Sequence, residues 1–314
     1  MTETINIAAS RNHSGEITVG VTTRNRIGSL RRCLESLRQL SPQLAEVIVV
    51  DDASDAPVET ELEPQLVEDL SFRIIRQATN EGYIVARNRI VLQAKTDLVL
   101  LLDDDTVILD PQAVWTAVET LQADIALGAV AFAQADADGQ PWPPGAQPAP
   151  VDYACYVPTF IGFAHLLRRD VFLRLGGYRE LFHYYGEEKE YCLRALDAGY
   201  RVAYLPECLI AHLPDPSGRD PLKYYRAYTR NDCLAALYTL PWPVAACWIS
   251  LKILLYGYVA RKHMGLKDVA GRRWLIDELR SAWPKIRPVR RPVRYRTLAL
   301  WRRMRSTRPA YHPT

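Results

Sequence analysis

The stretch VLLLDDDTVI at 99–108 places three consecutive aspartates at the lip of an apolar run. Adjacent carboxylates repel, and burial makes each charge costly unless a partner or a cation shares the site. Asp103, Asp104 and Asp105 therefore read either as a solvated acidic turn or as the seat of a divalent cation. Asp51 and Asp52 end a second apolar run, AEVIVVDD at 45–52. GEEKE at 186–190 supplies three more carboxylates, candidates to take a proton from a hydroxyl. His212, in LIAHL, offers an imidazole that either completes a metal shell or sits satisfied on an apolar strand.

The elements that must position these groups are legible in the apolar pattern. EITVGVT (16–22), AEVIVVDD (45–52), FRII (72–75), DLVLLL (97–102) and residues 163–168 read as strands. Between them, RIGSLRRCLESLRQL places Ile27, Leu30, Leu34 and Leu37 at helical spacing. GYIVARNRIVLQA (82–94) predicts a helix with Ile84, Ala86, Ile90 and Leu92 inward. Pro111 opens another helix. Continuous apolar strands alternating with helices indicate an α/β protein with a mostly parallel sheet. In such sheets ligands bind beyond the carboxyl ends of the strands. Thr22, Thr23 and Arg24, then Asp51, Asp52 and Ser54, then the three aspartates all fall at those ends. Residues 134–160, rich in Pro, Gly and Ala, predict a long irregular loop forming a rim or lid. Beyond it come a turn at Gly176-Gly177, an acidic helix start, a Gly199 C-cap and a further strand.

The chain has 314 residues, 48% hydrophobic and 24% charged, which fits a globular protein with a substantial core. Its six cysteines form no C-x-x-C and are read as buried reduced thiols in a cytosolic protein. Residues 1–15 lack the apolar core of a signal peptide and predict a flexible tail. The net charge of +3 conceals an asymmetry. Residues 215–314 hold 21 Lys and Arg against 6 Asp and Glu, and the first 214 hold 18 against 30. An acidic body with a basic extension suggests two tasks in two places.

The ordered segments VTTRNR, VVDDAS, NEGYIVARN, LLLDDDT, GGYRE, YGEEKEYCLRALDAGYR and LIAHL resemble a family 2 glycosyltransferase. The resemblance covers about residues 16–214. It implies the GT-A fold, a Rossmann-like mostly parallel sheet with flanking helices. It also implies inverting transfer of a sugar from a UDP-, GDP- or dTDP-linked donor to a hydroxyl acceptor, a glycan or a lipid-linked molecule. Asp103-x-Asp105 matches the family's D-x-D element, with Asp105 as metal ligand and Asp103 or Asp104 reaching ribose or the metal shell. His212 is a further ligand, and Mg²⁺ or Mn²⁺ suits oxygen donors beside a diphosphate. Thr22 and Arg24 line the nucleotide pocket, Asp52 holds the base, and Arg87 and Asn88 face phosphates or ribose. Glu188 is the general base by position, with Glu187 as the alternative base or an acceptor ligand. The family pattern has Asp where this chain has Glu at two positions of GEEKE. That departure keeps open a non-catalytic scaffold or sugar-nucleotide sensor of the same fold. A nucleotidyltransferase or dinucleotide enzyme is disfavoured, since VTTRNRIGS has no G-x-G. Trp142 is a candidate to stack on a sugar, and Gly162 to let backbone approach one.

After residue 214 the chain changes character. Asp220-Pro221 predicts a helix start, and Arg230-Asn231 is a candidate contact for acceptor or phosphate. PWPVAACWISLKILLYGYVARKH is apolar and aromatic, borderline for a membrane span, and with its prolines and Lys252 fits an interfacial helix. The last segment is basic with interleaved aromatics. Anionic lipid is the expected partner, placing the protein on the inner face of the cell membrane in surface polysaccharide or glycolipid synthesis. No nucleic-acid fold is visible.

Overall fold

A computed structural model describes residues 16–41, 43–63, 66, 70–214 and 220–312. The tail expected at 1–15 lies outside the described residues. Strands β1 (Ile17–Thr23), β2 (Leu44–Asp51), β3 (Phe72–Arg76) and β4 (Leu98–Asp103) pair in parallel in the order β3-β2-β1-β4. Antiparallel β8 (Ala164–Arg168) links β4 to β6 (Leu127–Ala135), and β6 pairs in parallel with β9 (Arg201–His212). Two short strands, β5 (Thr106–Val107) and β7 (Cys155–Val157), run antiparallel to β9. The sheet is thus mostly parallel, as expected. β6 is not among the expected strands, although it is buried along its whole length. Its LGAVAFAQA is dominated by alanine and glycine, which carry little strand signature. The irregular loop expected at 134–160 starts inside β6 and contains β7.

Helices α1 (Ile27–Leu37) and α4 (Pro111–Ala123) cover one sheet face, and α3 (Tyr83–Gln93) covers the other; α2 (Val58–Glu61) is a single turn. The alternation within β2 shows why. Val47 and Val49 join Leu30, Leu34 and Leu37 of α1, while Ile48 and Val50 join Ile84 and Ile90 of α3. Gly20 of β1 allows the close approach of α3, since a Cβ there would lie 2.2 Å from a methyl of Ile90. Within α3, Ile84, Ala86 and Ile90 are buried as expected. Leu92 is 59% exposed, and Val91 fills the inward position that the helical period assigns. Two further helices, α5 (Arg169–Arg174) and α6 (Glu187–Asp197), follow β8.

The basic C-terminal region folds as four helices: α7 (Pro221–Thr239), α8 (Trp242–Met264), α9 (Gly271–Ile286) and α10 (Tyr295–Thr307). Asp220 caps α7 by accepting from the amides of Leu222 and Lys223. Tyr225, Cys233 and Leu234 of α7 and Leu275 and Leu279 of α9 extend the apolar cluster on the α3 side of the sheet. After α10 the chain returns to the sheet, where the amides of Tyr156 and Tyr311 donate to the carbonyls of Pro309 and Ala154, respectively. On α8, Ala245, Tyr256 and Ala260 face inward. Trp242, Trp248, Leu251, Leu254, Leu255 and Tyr258 stay exposed. Five of the cysteines are buried, as expected, but Cys247 of α8 is exposed.

Candidate active site

The three aspartates close β4 and turn into β5. Thr22, buried, stands in register with Asp103 across β1 and β4, and Thr23 donates to Asp104 at 2.7 Å. Arg24 is exposed just past β1. The guanidinium that reaches the cluster belongs instead to Arg26, which pairs with Asp104 at 2.9 Å and Asp105 at 2.6 Å. Arg26 is the second arginine of VTTRNR, and only the turn geometry after β1 distinguishes it from Arg24. Burial raises the Asp104 carboxyl to about 7 against the pull of Arg26 and Thr23. Burial likewise raises Asp103, with Arg87 opposing.

Pairing of β5 with β9 brings His212 opposite Thr106, so the imidazole reaches the cluster. Its Nε2 lies 3.5 Å from Asp105 Oδ1, a buried oxygen without a hydrogen-bond partner among the described residues. Ligand atoms of Asp103, Asp105 and His212 all lie within 4.8 Å of one another. His212 Nδ1 meets Gln134 Oε1 at 2.5 Å, and the Gln134 amide nitrogen donates to the Ala146 carbonyl. That orientation makes the Gln134 oxygen an acceptor, puts an imidazole proton on Nδ1 and aims Nε2 at Asp105. Two carboxylates and one correctly oriented imidazole fit a divalent cation. Gln134 escaped the sequence reading because β6 did. Trp142, expected against a sugar, stacks in the structure on His212 at 5.4 Å and 16°, and Phe163 stacks on the same imidazole at 4.9 Å and 22°.

Arg87 organises the other half of the site. Fully buried on α3, it donates to Asp103 at 2.6 Å, Glu187 at 2.8 Å and the Gly162 carbonyl at 2.8 Å, with its guanidinium 4.5 Å from the Tyr83 ring centroid. Expected to face the donor, Arg87 stands as the buried cation between the aspartate cluster and the acidic helix start. Asn88 likewise turns away, holding the backbone of Tyr178 at 2.9 Å. Asp52, expected at the base, accepts from Gln77 at 2.5 Å and from the amides of Glu81 and Gly82 at 2.8 and 2.9 Å. Its carboxylate thus shapes the turn into α3.

The carboxylates of GEEKE divide by environment. Glu187 is fully buried against Arg87 and accepts from the Tyr83 hydroxyl at 3.2 Å. Glu190 is held by Arg194 through two bonds of 2.8 and 2.7 Å. Glu188 alone remains half-buried, against Gly162, where a Cβ would lie 2.4 Å from its Oε1. Gly162 therefore makes room for Glu188 and Arg87. Burial raises both Glu187 and Glu188 above the usual carboxylate range, with Arg87 opposing. Arg230 and Asn231 do not face this cleft. Arg230 pairs with Glu278 at 2.7 Å, and Asn231 binds carbonyls of Phe182, Tyr184 and Tyr185.

Residues 18–176 match the family described as Glycosyl transferase family 2. The chain belongs to that family, and its fold is the GT-A arrangement. It is 30% identical over 215 residues to the pre-mycofactocin glycosyltransferase of Mycobacterium tuberculosis (strain ATCC 25618 / H37Rv), a match covering 63% of this chain and 42% of that protein. The chain thus spans less than half the length of this relative. The mannosyltransferase PcManGT from Pyrobaculum calidifontis, in complex with GDP-Man and Mn²⁺, superposes with a TM-score of 0.59 at 18% identity over 94% of this chain and 81% of that one. TarS 1–349 of S. aureus, in complex with UDP-GlcNAc, gives 0.56 at 17% identity over 91% and 83%. These two likenesses concern the fold.

Proposed function

We propose that this chain is an inverting, metal-dependent glycosyltransferase that moves a sugar from a nucleotide-sugar donor to a hydroxyl acceptor. The observation that carries the reading is the buried Asp105 Oδ1, without a hydrogen-bond partner among the described residues, set beside Asp103 and 3.5 Å from His212 at the carboxyl end of parallel strands. The site counts five carboxylates (Asp103, Asp104, Asp105, Glu187, Glu188) against the guanidiniums of Arg26 and Arg87. Left so, it would repel a diphosphate. Mg²⁺ or Mn²⁺ held by Asp103, Asp105 and His212 would reverse the sign and stabilise the charge of the leaving diphosphate.

The chain's own groups do the rest. Thr22, Arg24 and Asp104 line the donor side, and Arg87 fixes Asp103 and Glu187 together. Glu188 takes the acceptor's hydroxyl proton as that oxygen bonds to the anomeric carbon and the bond to the diphosphate oxygen breaks. We read residues 16–214 as the transferase unit and the helices after it as its buttress. Trp242–Lys262 is long and apolar enough to cross a bilayer, with a mean hydropathy of 1.5. Because α8 packs lengthwise on the body through Ala245, Tyr256 and Ala260, and Lys252 pairs with Asp232 at 2.8 Å, we place it flat on an anionic membrane surface. A lipid-linked acceptor, and a role in surface polysaccharide or glycolipid synthesis on the inner face of the cell membrane, follow from that placement.

The test is calorimetric titration of UDP-, GDP- and dTDP-sugars with Mn²⁺ and with EDTA, beside Asp105→Ala. Metal-dependent binding of one donor, lost in the variant, supports the proposal. Absence of binding by every donor with metal present overturns it.

A further inference from the structure

A row of tyrosines leads away from the acidic helix start across the protein surface. Tyr83, whose hydroxyl reaches Glu187, meets Tyr184 edge-on at 5.8 Å. Tyr184 packs on Tyr185 at 3.8 Å, and their hydroxyls are 2.7 Å apart. Tyr185 meets Tyr224 edge-on at 4.9 Å, and Tyr224 lies nearly parallel to Tyr228, one turn further along α7, at 6.3 Å and 17°. The far end of the row reaches α8, where the Lys252 ammonium sits 5.7 Å from the Tyr228 ring centroid. Tyr184, Tyr224 and Tyr228 remain 39%, 38% and 50% exposed.

The segment that presents the first rings is strained and deliberately held. His183 and Tyr185 have φ of 59° and 66°, values that side chains other than glycine's seldom adopt, and Gly186 follows at 91°. The buried Asn231 amide ties this segment down by donating to the carbonyls of Phe182, Tyr184 and Tyr185 at 2.9, 2.6 and 2.7 Å. Rings that served only as core would not need a strained loop to keep them at the surface.

We infer that this row is an acceptor subsite for carbohydrate, an inference that rests on reading Glu188 as the base. A pyranose has an apolar C–H face and a rim of hydroxyls. Tyrosine offers an apolar ring face and a polar tip, and takes both. Successive rings suit successive sugar units. Its surface rings Tyr184 and Tyr185 stand four and three residues before Glu188, and Tyr83 bonds the neighbouring Glu187, so the row ends beside the group that would take the acceptor's proton. Its other end, at α8, lets the acceptor's far portion approach the apolar helix.

Saturation-transfer NMR with maltotriose, chitotriose and mannotriose tests this, with calorimetric donor binding in Mn²⁺ as an independent readout. Transfer to the ring C–H protons of at least one saccharide is expected. Tyr224→Ala and Tyr228→Ala should weaken that saccharide about three- to tenfold, the scale of one aromatic contact. Tyr228→Phe should retain most of it, and donor affinity should not move in any of the three. Transfer to no saccharide, or equal transfer in both alanine variants, overturns the inference whatever the donor result. A selective loss of pelleting with phosphatidylglycerol vesicles, saccharide transfer being unchanged, would assign the row to the membrane face and overturn it as well. Saccharide binding that depends on the row in a protein that binds no donor would uphold the subsite and reject the base reading.

Discussion

Glu187 and Glu188 differ by one position and by a guanidinium. Arg87 engages Glu187 inside the protein, which leaves Glu188 to face the cleft. Glu188→Gln should therefore lower turnover about 100-fold or more while donor affinity holds, since a positioned base contributes on that scale. A sensor of the same fold would lose little. Glu187→Ala should act on stability instead, by about 3 kcal/mol read from urea midpoints, because it removes one of the two carboxylates that pair with the buried Arg87. The two variants exchanging these phenotypes would reverse the assignment. The pH profile follows from the direction of the shift. A base works deprotonated, and burial raises Glu188, so activity should fall on acidification at a pH above the usual glutamate value of about 4.3. A limb at or below that value would count against Glu188. Arg26, paired with Asp104 and Asp105, competes with a metal for the same oxygens. Arg26→Ala should bind Mn²⁺ more tightly in the absence of donor, measurable by calorimetry.

The elements place these residues through close approaches that small side chains permit. Gly162→Ala would set a Cβ 2.4 Å from the Glu188 carboxyl and 3.0 Å from Arg87. Turnover should fall with donor binding nearly intact, and crystallography of the variant should show the Glu188 carboxyl displaced. The strands that carry Thr22, Asp52 and the aspartates were legible from their unbroken apolar runs, and the D-x-D and GEEKE groups from residue type and order. β6 was not, because alanine and glycine give no strand signal, and with it went Gln134, which orients His212. The fate of Arg87, Asp52 and Asn231 was equally hidden. A polar residue near a strand end looks the same in sequence whether it faces a ligand or secures a turn. Only the partners decide, and those lie 16 to 100 residues away for Arg87 and 46 to 49 for Asn231.

At the scale of the whole molecule, an acidic cleft and a basic helical region share one apolar cluster. Lys189, next to Glu188, pairs with Asp232 at 2.5 Å, and Asp232 also holds Lys252 and accepts from Trp248 of α8 at 2.9 Å. The helix that carries Glu188 and the apolar helix are thus fastened to one carboxylate. Leu254→Glu, on the open face of α8, should abolish pelleting with anionic vesicles and leave soluble donor binding unchanged. Raising salt from 0.1 M, where screening acts over about 10 Å, should weaken pelleting of the unaltered protein. Pelleting indifferent to both would remove the membrane from the account.

The thiols give this protein a built-in reporter. Burial pushes Cys33, Cys192 and Cys233 up to about 12 and Cys155 to about 11, and Cys208 is raised further still. Those sulfurs are both shut away and held as unreactive thiols. Cys247 stands exposed on α8, among the residues assigned to the lipid surface. A maleimide dye added to the native fold would therefore label one position without any engineered cysteine, and its colour would register whether that helix rests in water or in lipid.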